Sequence, residues 1–458
     1  MPALDAPPAL RVVGVTKRFG DVIANNDISL DVARGEIRAI VGENGAGKST
    51  LMSILIGMIR PDAGEIFIDG VRARIRSPRD AMALGLGMVH QHFMLVDTLD
   101  VLDNVMLGAE GGALLAAGRA RTRARLADLA RAHGLAVDPD ARVGDLPVGL
   151  RQRVEILKAL TRDARIIILD EPTAALTPDE ANDLGGLMRR LAADGATILF
   201  ITHKLNEALT FADKISVLRA GAHVATFDAA ATNASELARA MVGRDVANAL
   251  PRAARAPGRA LLEARDLTAR DEAGRARLAG VSLSLRAGEI VGVAGVAGNG
   301  QSELIEVLAG LWPIASGALR IDGALVPAHA YDPARARALG VAHVPEDRLR
   351  HGIIGEFPAA ENAILGRHRD ARLGRRLLDP RAIRARCLDL MERWDVRPRA
   401  PETPAGRLSG GNQQKLVFAR EIEADPAIIL VGQPTRGVDI GAIEAIHRRL
   451  LALRDAGK

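Results

Sequence analysis

Residues Gly42 to Thr50 read GENGAGKST, and the apolar run IRAIV (Ile37 to Val41) leads into them. The stretch satisfies the phosphate-binding pattern GxxxxGK[ST] at every position. Gly42, Gly45 and Gly47 let the chain curl, so that successive N–H groups from Gly42 through Glu43, Asn44, Ala46 and Thr50 make a concave anion site. Lys48 reaches the outer phosphates as a point charge, and the Ser49 hydroxyl suits Mg²⁺. A strand over Glu36–Val41 should lead in and a helix from about Lys48 to Ile59 should lead out. The phosphates then lie at a helix N-terminus, where the macrodipole favours negative charge.

Upstream, VVGVTKRFGDVIANNDISLDV alternates apolar and polar residues around turn residues and reads as antiparallel strands. Phe19 closes one of them. Two readings stand for it: an aromatic that stacks on an adenine ring, or an ordinary core residue. Downstream, RPDAGEIFIDG stops the helix at Pro61 and starts a strand, and GLGMVHQHFMLV carries Gln91 at a strand end. From His92 to Asp145 the pattern is largely helical. LPVGLRQRVEILKAL then reads as a loop into a helix from about Gly149. In RIIILDEPTAAL an apolar run makes a buried parallel strand with Asp170 and Glu171 at its C-terminal tip. Adjacent acids there, beside a phosphate loop, suit a metal ion and an attacking water. TILFITHK ends in His203, and KISVLRAG closes the unit.

The unit recurs. Gly35–Gly70 reappears as GEIVGVAGVAGNGQSELIEVLAGLWPIASGALRIDG, an offset of 253 residues (Gly35 to Gly288). LPVGLRQRVEILKAL returns as LSGGNQQKLVFAREI, and RIIILDEPTAAL as AIILVGQPTRGV, at an offset of 262 (Asp170 to Gly432). Between the halves, residues 245–259 are rich in Pro and Ala and read as a linker. The expected domains are residues 8–244 and 260–458.

At 458 residues the chain exceeds one ordinary core, and with 48% hydrophobic residues it is no disordered protein. No apolar run has the length of a membrane span, and the opening MPALDAPPAL lacks the basic and apolar regions of a signal peptide. The single cysteine, Cys387, allows no internal disulfide, fits a reducing compartment and reads as a buried structural thiol. The net charge is +5, but arginines and acids are interspersed. Runs such as RARIRSPRD and RHRDARLGRR suit either solvated helix faces or contact with phosphates and anionic lipid. Aromatic residues make up only 2% of the chain, so no stacking patch for nucleic acid is expected.

A phosphate loop, a strand-end Gln, an LSGGx loop, acids followed by PT, and a downstream His form the motif order of ATP-binding cassette ATPases. The chain resembles that family over nearly its whole length. LSGGNQQK and PTRGVD in the second half resemble the tandem ATPase subunits of bacterial simple-sugar importers. MVHQHFMLV, GNGQSEL and QPTRG lean toward the nucleoside branch. The resemblance implies an α/β fold of two tandem P-loop NTPase cassettes, each with a mixed core sheet, an antiparallel β subdomain and a helical subdomain. It implies ATP and Mg²⁺, and a peripheral place on the cytoplasmic face of the inner membrane. The implied partners are transmembrane permease subunits and an extracytoplasmic substrate-binding lipoprotein, with no nucleic acid. Each nucleotide would lie between one half's phosphate loop and the other half's LSGGx loop. Phe19 would stack on adenine, and Lys48 and the loop amides would hold phosphates. Ser49, Asp170 and Gln91 would serve the metal, Glu171 the attacking water and His203 the terminal phosphate, with Gln91 reporting to the partner. The insert from His92 to Asp145 would face the permease.

The departures segregate. In the second half Gln301 replaces the loop lysine, though Gly295, Gly298, Gly300 and Ser302 remain, and Gly432 and Gln433 replace the acids. In the first half Pro147 and Val148 replace the signature serine and glycine, with Gly149 kept. The second signature, Ser409, Gly410, Gly411 and Asn412, is intact. Head-to-tail pairing then gives one complete site and one degenerate site. A soluble tandem cassette acting on the ribosome is the alternative from another class. It normally has a long charged arm between halves and two intact sites. A regulatory module without hydrolysis conflicts with Glu171. By the 262-residue offset the partner of Ala196 is Lys458, so the second copies of TILFITH and of the closing strand are expected to be missing by truncation.

Overall fold

The computed structural model describes residues 7–90, 93–108, 115–174, 176–245, 254–296, 298–368, 370–374, 377–435, 438 and 440–458. The chain divides into two compact units, Met1–Val246 and Ala247–Lys458.

In the first unit the strands are β1 (Leu10–Phe19), β2 (Val22–Val32), β3 (Ile37–Val41), β4 (Ala63–Ile68), β5 (Val71–Ala73), β6 (Leu86–Val89), β7 (Ile166–Asp170), β8 (Thr197–Thr202), β9 (Lys214–Arg219) and β10 (Ala222–Asp228). The alternating strands form an antiparallel sheet in the order β2-β1-β4-β5, with Leu10 opposite both Val32 and Ile68. The continuous apolar strands form the core sheet, in the order β10-β9-β3-β8-β7-β6. Its members from β9 to β6 run parallel, and β10 is an antiparallel edge. Every residue of β3, β7 and β8 is buried, as expected for parallel strands covered on both faces. The helix Lys48–Leu55 packs Leu51 and Leu55 against Ile40, Ile168, Leu199 and Ile201. That helix stops at Leu55 rather than Ile59. Gly57 turns the chain with φ +74°, and a Cβ there would lie 2.5 Å from the Ser77 carbonyl oxygen. The stretch after β6 is less continuous than its composition suggests. Helices cover Val101–Met106 and Leu115–His133, and a 3-10 turn covers Val143–Asp145.

The second unit repeats the antiparallel sheet with β11 (Ala260–Arg270), β12 (Ala276–Arg286), β13 (Ser316–Ile321) and β14 (Ala324–Val326), in the order β12-β11-β13-β14. Its parallel core pairs β15 (Val341–Val344) with β16 (Ile428–Val431). Among the described residues no strand pairs with Glu289–Val296, the counterpart of β3 and its loop. In the first unit the corresponding strand, β3, is held between β8 and β9. Ile290 and Val293 are 55% and 57% exposed, whereas Ile37 and Ile40 are 2% and 0% exposed. Cys387 is fully buried in the helix Pro380–Arg393 among Leu390, Met391 and Leu416, and burial pushes its thiol up to about 12.

Candidate nucleotide site

The site in the first unit gathers at the carboxyl ends of the parallel strands, where open α/β sheets bind ligands. After β3 the chain runs through Gly45 at φ +81° and Gly47 at φ +95°, which caps the helix Lys48–Leu55. Gly47 is required twice over. Its φ is left-handed, and a Cβ would lie 2.2 Å from the Ala24 carbonyl oxygen. Asn25, fully buried on β2, donates from its side chain to the Gly47 carbonyl at 3.0 Å and so pins the loop. No motif singles out Asn25. Its signal is a polar residue in a strand whose neighbours bury apolar ones.

Lys48 is buried, and its Nζ donates to the carbonyls of Gly42 at 2.8 Å and Glu43 at 3.0 Å. A cation is thus held over the loop. Ser49 is exposed in the first helical turn. Phe19 ends β1 with 48% of its surface exposed and Lys17 over its ring, so it is not a core residue.

β7 carries Asp170 into the site, buried, and Glu171 follows with φ +45°. A glutamate in the left-handed region is strained, and such strain clusters at functional sites. The Glu171 N–H donates to the Ile201 carbonyl at 3.1 Å, and Glu171 Oε1 lies 3.1 Å from His203 Nδ1, just past β8. Two adjacent strands therefore deliver the acid and the imidazole together. The His203 hydrogen bond holds the Glu171 carboxyl below the usual range, outweighing burial, with Lys48 adding to the effect. Burial and the neighbouring Glu171 push Asp170 above that range, against Lys48. Gln152 donates to the Pro172 carbonyl at 2.6 Å, and Lys204 to that of Thr173 at 3.0 Å, fixing the segment after the acids. Gln91 lies outside the described residues.

The second unit keeps the loop geometry with other side chains. Gly298 has φ +88° and Gly300 φ +99°. Gln301 donates to the Val296 carbonyl at 3.1 Å, the bond Lys48 makes to Glu43, without the charge. Gln433 keeps the left-handed backbone of Glu171, at φ +39°. The two signature helices differ at their caps. Ser409 accepts from Asn412 N at the start of Gly410–Ile422, while Pro147 begins Val148–Leu160 with no side-chain cap.

The ABC transporter family description matches residues 25–174 and again 278–436. The chain belongs to the ABC transporter family. Nucleoside import ATP-binding protein NupA of Lactococcus lactis is 44% identical over 450 residues, covering 98% of this chain and 88% of that protein. Glucose import ATP-binding protein TsgD13 of Haloferax volcanii is 44% identical over 482 residues, with 98% and 87% covered. Guanosine import ATP-binding protein NupO of Bacillus subtilis is 42% identical over 452 residues, with 98% and 88% covered. The chain is thus an ATP-binding, tandem-cassette ATPase of α/β fold. The oxygen donors Ser49 and Asp170, the latter a buried carboxylate beside a second one, fit a hard divalent cation such as Mg²⁺.

Proposed function

We propose that this chain powers the import of a nucleoside through a membrane permease, hydrolysing ATP at the first phosphate loop alone. The observation that carries the hydrolytic part is the Glu171–His203 pair at the tips of β7 and β8; the second unit has Gln433 in the place of Glu171. The loop amides and Lys48 bind the phosphates and fix the terminal one. Glu171, whose carboxyl is held below the usual range by its bond to His203, orients the attacking water and accepts its proton. Mg²⁺, held by Ser49, Asp170 and Gln91, would neutralise charge that develops on the phosphate oxygens. Ser409, Gly410, Gly411 and Asn412 carry the intact signature that hydrolysis needs, and Phe19 offers its exposed ring to the adenine. The second site, with Gln301, Gly432 and Gln433 in place of the lysine and the acids, binds nucleotide without turning it over.

Import is what the relatives are named for; permease partners, an extracytoplasmic binding protein and a place at the cytoplasmic membrane face are what the proposed role in import requires. No helix among the described residues is long and apolar enough to cross a membrane. The nucleoside reading is favoured by the spellings around Gln91, Gln301 and Gln433 and by the names NupA and NupO, against the sugar named for TsgD13. The test is ATP-driven uptake by the reconstituted complex. Radiolabelled guanosine should accumulate, with competition by other nucleosides and not by ribose or glucose. Sugar uptake that nucleosides do not compete would overturn the substrate assignment.

A further inference from the structure

The pairing of β7 with β8 ends at Asp170 opposite Ile201, with a last bond from the Glu171 N–H to the Ile201 carbonyl. Glu171 and His203 stand past that ladder, so something else must set the distance between their side chains. The helix Leu205–Phe211, which starts two residues after His203, supplies it. Glu207, in its first turn, reaches both strand tips. Its Oε2 accepts from the Thr173 hydroxyl at 2.5 Å and from the Thr202 hydroxyl at 3.2 Å, and its Oε1 accepts from Lys204 Nζ at 2.9 Å.

These hydrogen bonds close on themselves. Each threonine hydroxyl has one proton and gives it to Glu207. Each then accepts from Lys204: Thr173 Oγ1 from the side-chain Nζ at 3.4 Å, and Thr202 Oγ1 from the backbone N–H at 3.0 Å. Lys204 Nζ also donates to the Thr173 carbonyl at 3.0 Å. Thr173 and Thr202 are 3% and 2% exposed. Thr173 follows Glu171 by two residues, while Thr202 and Lys204 flank His203 directly. The helix macrodipole favours an acid in the first turn, which accounts for a negative charge at 207. It does not account for two buried hydroxyls, from the ends of two strands, that both donate to that acid. A buried network whose members are satisfied holds a single arrangement.

We propose that Glu207 is a positioning residue for ATP hydrolysis, a brace that fixes Glu171 against His203 by tying Thr173 to Thr202. This rests on the roles proposed above for Glu171 and His203. The brace acts through the backbone of the two strand tips, which carry the acid and the imidazole to their separation of 3.1 Å. A displacement of about 1 Å at a reacting group can cost about a hundredfold in rate. Loosening the brace should therefore slow turnover. It should leave ATP binding, which depends on the loop amides and Lys48, nearly unchanged.

The test sets Thr173→Val, which keeps the shape and removes the hydroxyl, beside Thr173→Ser, which keeps the hydroxyl. In the assembled complex Thr173→Val should lower kcat at least about tenfold with the KM for ATP within about twofold, and Thr173→Ser should stay near the unaltered rate. Glu207→Gln, which keeps the size of the side chain and removes its charge, should reproduce the valine result, and either variant decides if the other fails to fold. Added to His203→Ala, Thr173→Val should cost less than about twofold more, because the contact that it positions is already gone. The imidazole nitrogen NMR signal of His203 in the full chain, identified by its loss in His203→Ala, gives a view independent of turnover. It should shift in Thr173→Val and Glu207→Gln and stay in place in Thr173→Ser. Equal losses of kcat in the valine and serine variants, a full further loss on the His203→Ala background, or an unmoved His203 signal would overturn the proposal. So would a lower thermal midpoint with an unaltered kcat, which would make Glu207 a structural residue alone. Retained turnover in Glu171→Gln would count against the proposed function, and the His203 signal would still decide the brace.

Discussion

Glu171 and Gln433 occupy equivalent positions with the same left-handed backbone, φ +45° and +39°, and differ in what their side chains can do. Such a conformation costs about 1–3 kcal/mol, and the fold keeps it in both halves. In the first, the strain aims a carboxylate at His203. In the second, it aims an amide at Glu346. His203→Ala should lower ATP turnover by about a hundredfold. It should also move the acid limb of the pH profile upward. His203 holds the Glu171 carboxyl low, so without it the base form is lost at a higher pH. An acid limb that stays put would show that the pair does not act as described. At this scale the first site was legible, because Lys48, Ser49, Asp170, Glu171 and His203 each sit in a spelled motif. Asn25 and Glu207 were not. One acts through a loop carbonyl 22 residues away, and the other gains meaning only once β7 is known to lie beside β8.

Among the elements, the signature helices separate a cap from a contact. Ser409 caps Gly410–Ile422, so Ser409→Ala would mix lost stability with lost chemistry. Ser409→Gly is cleaner, since glycine at a cap costs only a few tenths of a kcal/mol. It should slow hydrolysis by at least about tenfold while ATP binding at the first loop holds, whereas Pro147→Ser should change little. Equal effects would contradict a role for the second signature in hydrolysis. β15 carries a second, structural test. Burial pushes the His343 imidazole down to about 4, with Glu421 opposing and His351, Arg337 and Arg420 reinforcing. The unfolded chain takes up that proton from about pH 6.5. Stability of the second unit should therefore fall as pH drops from about 6.5 to about 4, by up to roughly 3 kcal/mol, and be insensitive to this group below that. Both tryptophans, Trp312 and Trp394, lie in the second unit, so their fluorescence follows its unfolding. His343→Leu should flatten the dependence; an equal slope in both proteins would refute it. Strand assignments were legible wherever apolar residues ran unbroken, as in β3, β7 and β8. The helix after the phosphate loop was read four residues too long. Its Leu55–Ile59 sequence stays apolar past the point where the close approach of Gly57 to Ser77 ends it.

For the whole molecule the internal repeat made the two-unit α/β architecture readable before any coordinates. It also sets unlike residues opposite one another, since the same alignment that pairs Lys48 with Gln301 pairs Glu171 with Gln433. The repeat did not single out Ile290–Val293 as the exposed apolar segment of the second half. Its length and composition match β3, and only the pattern of neighbouring strands distinguishes the two. Nor did it reveal that the second loop keeps its fold through Gln301. The central claim is that a chain with two phosphate loops has one hydrolytic centre. Steady-state ATP turnover of the assembled complex tests it most directly, for the unaltered chain, Glu171→Gln, and Glu171→Gln combined with Gln433→Glu. The single change should cost at least about a hundredfold, and the added glutamate should recover almost none of it. Retention of more than about a tenth of the turnover by Glu171→Gln, or its rescue by Gln433→Glu, would contradict the account.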